Sequence, residues 1–447
     1  MLSRSMLRVP GTSQQTAGNL DTKVRRKLGI KVVDPARFTP WHTLRDNPGF
    51  RWYFLGSATS DFGTWLQNTA QVLLAYQLAH SVLTVGFVTF AQFSSPLVLG
   101  PWAGVAADRF GGRRTLLFTQ AVAACVAATL AAADFAGALN AWVLVVGALI
   151  TGLAFTFALP ARNITVQRLV RADKLKPAYA MDSVSYNLGR TVAPVLTMVM
   201  VWAGVSLAWA FAMNAVSFIA FGLILWRIHM REKAEPQRRS RVRDGFVIAR
   251  KDRRILILLL MVAAVTVADD PILVLGPALA KHLSAAPAWS GWFIASLGGG
   301  TVLASFRKSK HEPTMRLAAT ALAALALFML IFVHAPTMWW AVIAAVGAGA
   351  SCLIANSVTR AALARHAGPE HSAAVMAVWA IAWAGSKPFA SLIDGWLGSS
   401  IGLGWTGLIL AVPALIPILV IMLEPRFGFW SKNLRVAPPG SLTMGDA

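Results

Sequence analysis

Cysteine is almost missing from this chain. Only Cys125 and Cys352 occur in 447 residues, far apart and each within an apolar run. That removes a disulfide framework and a thiolate metal site from consideration. The eight histidines lie near the ends of apolar runs, and none has metal-ligand spacing with acids or cysteines. No glycine-rich phosphate loop followed by Lys-Ser/Thr is present, which disfavours an ATP-driven pump. No nucleophile–base arrangement stands out. An enzyme is therefore not expected, and no metal or other cofactor is implied. Charge is scarce too: 13% of residues are charged, against 56% hydrophobic. That balance belongs to a polytopic membrane protein, not to a soluble domain.

Acids are the scarcer sign, with 19 Asp+Glu against 41 Lys+Arg and a formal charge of +22. In a soluble chain that excess would suggest nucleic acid. Its distribution points elsewhere, and no nucleic-acid partner is expected. Basic residues fill the N-terminal arm and every second connection, at 109–114, 168–176, 227–254, 307–316 and 360–365. The alternate connections carry almost none, Lys281 being the exception. This positive-inside pattern predicts a multi-pass protein with both termini in the cytoplasm. The surplus charge then faces the anionic headgroups of the lipid bilayer.

Residues 1–44 read as a flexible basic cytoplasmic arm, without the apolar core of a signal peptide. Trp41, Trp52 and Tyr53 are expected to anchor the interface. Apolar spans follow at 51–78, 82–107, 114–134, 140–169, 175–203 and 206–228. A basic linker at 229–254 contains Arg238, Arg239, Arg241 and Arg243. Six more spans follow at 255–281, 287–306, 314–334, 338–364, 371–399 and 403–423. The domain reading is thus an N-terminal six-helix half (45–228), the linker, a C-terminal six-helix half (255–424) and a tail (425–447). The halves repeat: the shift that carries Pro194 onto Pro388 also carries Gly104 onto Gly298, Arg113 onto Arg307 and Arg114 onto Lys308. Asp108 and Arg109 have no counterparts; Val302 and Leu303 stand there.

A charge inside a span is expensive, so each one is a functional candidate. Asp61 lies about three turns into the first span, with Trp65 and Asn68 on its face. The stripe suits a wet cavity; equally, Asp61 would lock helices by pairing with Arg190, deep in the fifth span. Asp269 and Asp270 precede Pro271, which is expected to kink the seventh span. Adjacent carboxylates there cannot both ionise cheaply, so one is expected to exchange a proton. Alternatively the span ends earlier and both acids face the periplasm. Lys387 and Asp394, seven residues apart, share one face of the eleventh span. A cross-helix partner such as Asp269 or Asp270 suits Lys387 better than Asp394 does. Arg162 and Asp182 lie nearer the cytoplasmic ends and read as gate or interface residues.

Between the second and third spans stands Gly104-Val-Ala-Ala-Asp108-Arg109-Phe-Gly-Gly-Arg113-Arg114. Any cytoplasmic hairpin tends to be basic and glycine-rich, but the order G-x-x-x-D-R-x-G-x-R-R is more specific. It resembles the loop signature of the major facilitator superfamily, except that Gly112 replaces a basic residue. Gly104 is expected to allow close helix approach. Further motifs are Leu44–Arg51, Gly63-Thr-Trp65-Leu-Gln67, Leu159-Pro160-Ala-Arg162-Asn163, Asn187, Arg190 and Ala355-Asn356-Ser. They resemble the enterobactin-exporter-like branch, which includes macrolide efflux proteins. Ala193-Pro194 retains half of an antiporter signature, and His371–Met376 replaces a basic stretch usual in the family.

The resemblance implies an all-α fold of twelve transmembrane helices in two six-helix pseudo-repeats. It implies a monomeric secondary transporter of the bacterial inner membrane, exporting an amphipathic small molecule (a siderophore, a macrolide or another drug) by alternating access. Protons are the expected coupling ion, with Asp61, Asp269 and Asp270 as carriers. Arg190, Lys387, Asp394, Trp65 and Asn68 are candidates for charge balance or substrate contact. Gly104, Asp108, Arg109, Arg113, Arg114 and Arg162 form the expected cytoplasmic gate. In it Asp108 meets Arg162 and the start of the eleventh span, near His371–Ala374. Uptake by the same fold, or a non-transporting sensor or scaffold, are the alternatives.

Overall fold

The computed structural model describes residues 40–171, 174–228, 242–305 and 315–427. The arm as far as 39, the linker arginines Arg238, Arg239 and Arg241, the pair Arg307–Lys308 and the tail from 428 lie outside the described residues. Among those described, every regular element is helical. The first six spans are Pro48–Ala79, Val82–Phe110, Gly112–Phe135, Ala141–Leu169, Leu175–Trp202 and Ala208–Arg227. Asn140 starts the fourth by accepting from Val143 N at 3.1 Å, which satisfies one of the donors left open at a helix start. His80, in the left-handed region at φ 49°, ends the first.

The seventh span runs as Arg253–Asp269 and continues as two short pieces, Pro271–Val274 and Gly276–His282. Pro271 and Pro277 lack the N–H that an unbroken ladder needs, so the axis breaks as the sequence predicts. The eighth and ninth spans are Ser290–Ser305 and Met315–Val333, and the twelfth is Leu403–Phe427. Spans ten and eleven share one continuous helical stretch, Met338–Ser400, without the expected break. That stretch nevertheless reverses. The Arg360 guanidinium lies 4.7 Å from the centre of the Trp379 ring. In a straight helix those two residues would stand about 28 Å apart.

Seven described helices are long and apolar enough to cross a membrane by length and composition alone. Spans one, five and eleven fall short because they carry the polar and charged residues. Spans eight and twelve fall short because their described apolar stretches are brief, Ser290–Ser305 and Leu403–Ile416.

Two broad contacts dominate the seam between the halves: the second span against the eleventh, and the fifth against the eighth. The repeat shift carries one onto the other. Both are built on glycine. A Cβ at Gly86 would stand 2.6 Å from the Ser391 carbonyl oxygen, and one at Gly395 would stand 3.1 Å from Gly86 Cα. A Cβ at Gly291 would stand 2.9 Å from the Pro194 carbonyl oxygen, and one at Gly298 3.1 Å from Thr191 Cα. These contacts lie mostly in the half of the bundle away from the 104–114 hairpin, here called the far half.

The hairpin turns at Gly111, whose φ of 85° only glycine adopts without strain. The departure at Gly112 has a packing reason. A side chain there would press on the Ala161 carbonyl oxygen, 2.8 Å from the added Cβ. Gly104, in contrast, has nothing within 4 Å of an added Cβ. The close-approach role expected of Gly104 therefore passes to Gly112, and in the second half to Gly298. Trp52 is exposed, as an interfacial anchor should be, but Tyr53 is buried edge-on against Phe221.

Candidate functional site

Three groups of charges occupy the bundle interior. The first joins spans one, four and five. Arg162 donates Nη1 to Asp61 Oδ1 at 2.9 Å and Nη2 to Asp61 Oδ2 at 3.1 Å. The forked geometry matches guanidinium to carboxylate. Nη2 also reaches Asp182 Oδ1 at 3.2 Å and the Ser57 hydroxyl. Ser185 Oγ donates to Asp61 Oδ2 at 3.2 Å. Ser57 and Asp61 are four residues apart, Asp182 and Ser185 three, so each pair occupies one helix face.

The expected Asp61–Arg190 pair is not formed. Gly189 is the residue that meets Asp61: its added Cβ would stand 3.2 Å from the Asp61 carbonyl oxygen. Arg190, about 100° further round the helix, is thereby turned away. It forms the second group, donating Nη2 to Asp269 Oδ2 at 3.1 Å, across the boundary between halves. Trp65 lies under this guanidinium at 5.5 Å and meets Tyr186 edge-on. Arg190 Nε and Asp269 Oδ1 are buried without a hydrogen-bond partner.

The third group is built on spans seven and eleven. Lys387 Nζ donates to Asp270 Oδ1 at 2.7 Å, and Ser391 donates to Asp270 Oδ2. Lys387 also lies 5.1 Å from the Phe93 ring of the second span. So the adjacent carboxylates do not share one environment: Asp269 faces the first half, and Asp270 the eleventh span. Asp269 is paired and largely buried, and Asp270 is fully buried, which speaks against two acids open to the far-side solvent. Asp394 is fully buried as well, and neither of its oxygens has a partner.

Asp61, Trp65, Asn68 and Arg162 line one cavity with Gln92, Gln120 and Tyr186. Its volume is about 60 Å3, room for a few waters and too little for a drug-sized ligand. Asn68 Oδ1 accepts from Gln92 Nε2 at 2.8 Å, fixing one wall.

The hairpin groups lie outside this interior. Asp108, Arg109 and Arg114 are exposed, and Arg113 donates to the Trp226 carbonyl oxygen. Arg162, the gate partner expected for Asp108, is held inside the bundle by Asp61 and Asp182. The start of the eleventh span is met by the helix Val242–Lys251, whose Gly245 packs on the Ala374 backbone. Ser57, Ser185 and Ser391 were not anticipated from sequence. Their signal was available: Ser57 stands four residues before Asp61, and Ser391 four after Lys387.

Two pseudo-symmetric six-helix halves, with ion pairs inside and between them, define a secondary membrane transporter of the major facilitator fold. It is not an enzyme. The chain belongs to the superfamily's transmembrane secretion effector family, which matches residues 38–435. It is 24% identical over 287 residues to the uncharacterized MFS-type transporter YfiS of Bacillus subtilis (strain 168), covering 61% of this chain and 67% of that one. It is 24% identical over 228 residues to a staphyloferrin A transporter of Staphylococcus aureus (strain NCTC 8325 / PS 47). That match covers 48% of this chain and little more than half, 55%, of the relative. The fold is similar to that of the nucleoside transporter NupG, with a TM-score of 0.68 at 13% identity over 84% of this chain and 99% of that one.

Proposed function

We propose that this protein is a proton-coupled exporter of an amphipathic small molecule in a bacterial plasma membrane. It works as a monomer by alternating access, with both termini in the cytoplasm. The observation that carries the reading is the Arg190–Asp269 pair, 3.1 Å long and formed across the two halves beside the cavity. A pair in that place is remade or broken whenever the halves rock, so its strength sets the balance between states. With the basic connections inside, the far half is periplasmic, and the glycine contacts close the periplasmic side. An anionic group on the substrate competes with Asp269 for Arg190. Trp65, and Trp379 stacked on Trp383, offer apolar surface to the rest of the molecule.

The family's description as secretion effectors supports the outward direction. The relative named as a staphyloferrin A transporter supports a specific small molecule as cargo, a siderophore before a macrolide. Asp108, in the hairpin whose order resembles the superfamily's loop signature, serves as a latch of the cytoplasmic side. The test is substrate accumulation in cells lacking and overproducing the protein, with and without an uncoupler. Overproduction lowers accumulation of the cargo, and the uncoupler restores it. Flux indifferent to the uncoupler sinks proton coupling, and inward flux replaces export by uptake.

A further inference from the structure

The buried layer shared by spans five, seven and eleven holds three carboxyls and two cations. Asp269 has Arg190, and Asp270 has Lys387. The odd acid is Asp394. It is 0% exposed, and both its oxygens lack a hydrogen-bond partner. A buried carboxylate without a cation or donor is among the costliest groups a protein can hold. A carboxylic acid in the same place leaves the layer neutral.

We propose that Asp394 is the residue on which the transported proton resides, and that Lys387 exchanges between Asp270 and Asp394 as the proton leaves. The charged groups acting on Asp394 are Asp270 from the seventh span and Lys387 from its own helix. The second span brings no ionisable side chain between Val82 and Ala107, and the twelfth none between Leu403 and Ile416. In the step, the Asp394 O–H bond breaks, the proton passes to water, and the ammonium of Lys387 moves to the new carboxylate. Asp270 keeps the Ser391 hydroxyl.

Access is governed by the same packing that joins the halves. Ser391 and Gly398 lie on the face of Asp394. A Cβ at Gly398 would stand 2.9 Å from Leu275 and 3.3 Å from Val82. Gly395, the next residue, seats its backbone on Gly86. Water therefore reaches Asp394 only when the second and eleventh spans part at the far end. The role in a transport cycle rests on the proton coupling proposed above; the place of the proton does not.

The test is infrared spectroscopy at neutral pH of the full chain in dodecyl maltoside, a detergent without carbonyl groups. The wild type should show a carboxylic-acid C=O band, and Asp394→Asn should lose it. Asp270→Asn, which frees Lys387 for Asp394, should lose it too. A wild type without the band, or a band unchanged in Asp394→Asn, overturns the proposal. A band that survives in Asp270→Asn overturns the lysine exchange. If Asp394→Asn does not fold, the wild-type spectrum and Asp270→Asn still decide. Flux that ignores an uncoupler, with the band behaving as stated, overturns the coupled transport and leaves the proton site standing.

Discussion

Arg190 of the first half and Asp269 of the second stand 3.1 Å apart, each largely buried. Removing one member of such a pair leaves an uncompensated charge and costs about 3–5 kcal/mol. Arg190→Met and Asp269→Leu should each lower thermal stability by that order and abolish flux. The double variant should recover most of the stability and none of the flux. Recovery of both would make the pair only structural.

Asp61 belongs to Arg162, and Arg190 belongs to Asp269. Double-mutant cycles on stability should therefore give a coupling of about 1–3 kcal/mol for Asp61 with Arg162. Asp61 with Arg190 should couple far more weakly. Equal couplings would return Asp61 to the partner first expected for it.

Two hairpin glycines should behave oppositely. Gly104→Ala meets open space inside a helix and should be neutral or stabilising by about 0.5–1 kcal/mol. Gly112→Ala drives a methyl against the Ala161 carbonyl and should cost about 1–3 kcal/mol. Chemical unfolding of the two variants in one detergent compares them, and the reverse order would refute the packing described for the hairpin.

Asp108→Asn should shift the balance between inward- and outward-open states without changing which compounds are carried. Cysteine accessibility on each side of the membrane reads the balance, and competition assays read the specificity. Altered specificity with an unaltered balance would contradict the latch.

The twelve-span plan was legible because apolar runs and basic connections alternate along the chain. The hairpin was legible because a turn needing positive φ must show glycine, and Gly111 does. Charge pairing was legible only in part: Lys387 meets Asp270, one of the two partners expected for it, but Arg190 does not meet Asp61. Which way a buried arginine points depends on helix rotation, and here one backbone contact, Gly189 on Asp61, fixes it. Arg162 looked like a gate residue because its Cα lies toward the hairpin end. Its long side chain nevertheless reaches Asp61 inside the bundle. The orphaned state of Asp394 was invisible for another reason: spacing shows which residues share a face, but not how many donors that face will meet.

The glycine contact between Gly86 and Gly395 has a mechanical meaning. Helices are stiff, and from Gly86 to Phe110 the second span extends about 36 Å. A rotation of ~10° about the glycines would carry its hairpin end through about 6 Å while barely displacing the contact itself. Lacking side chains at the pivot, the two helices can roll without climbing over one another. While that contact holds, it is a fulcrum near one end of a long lever, so that a slight turn there becomes a wide aperture at the hairpin end; the far side opens only when the contact itself parts.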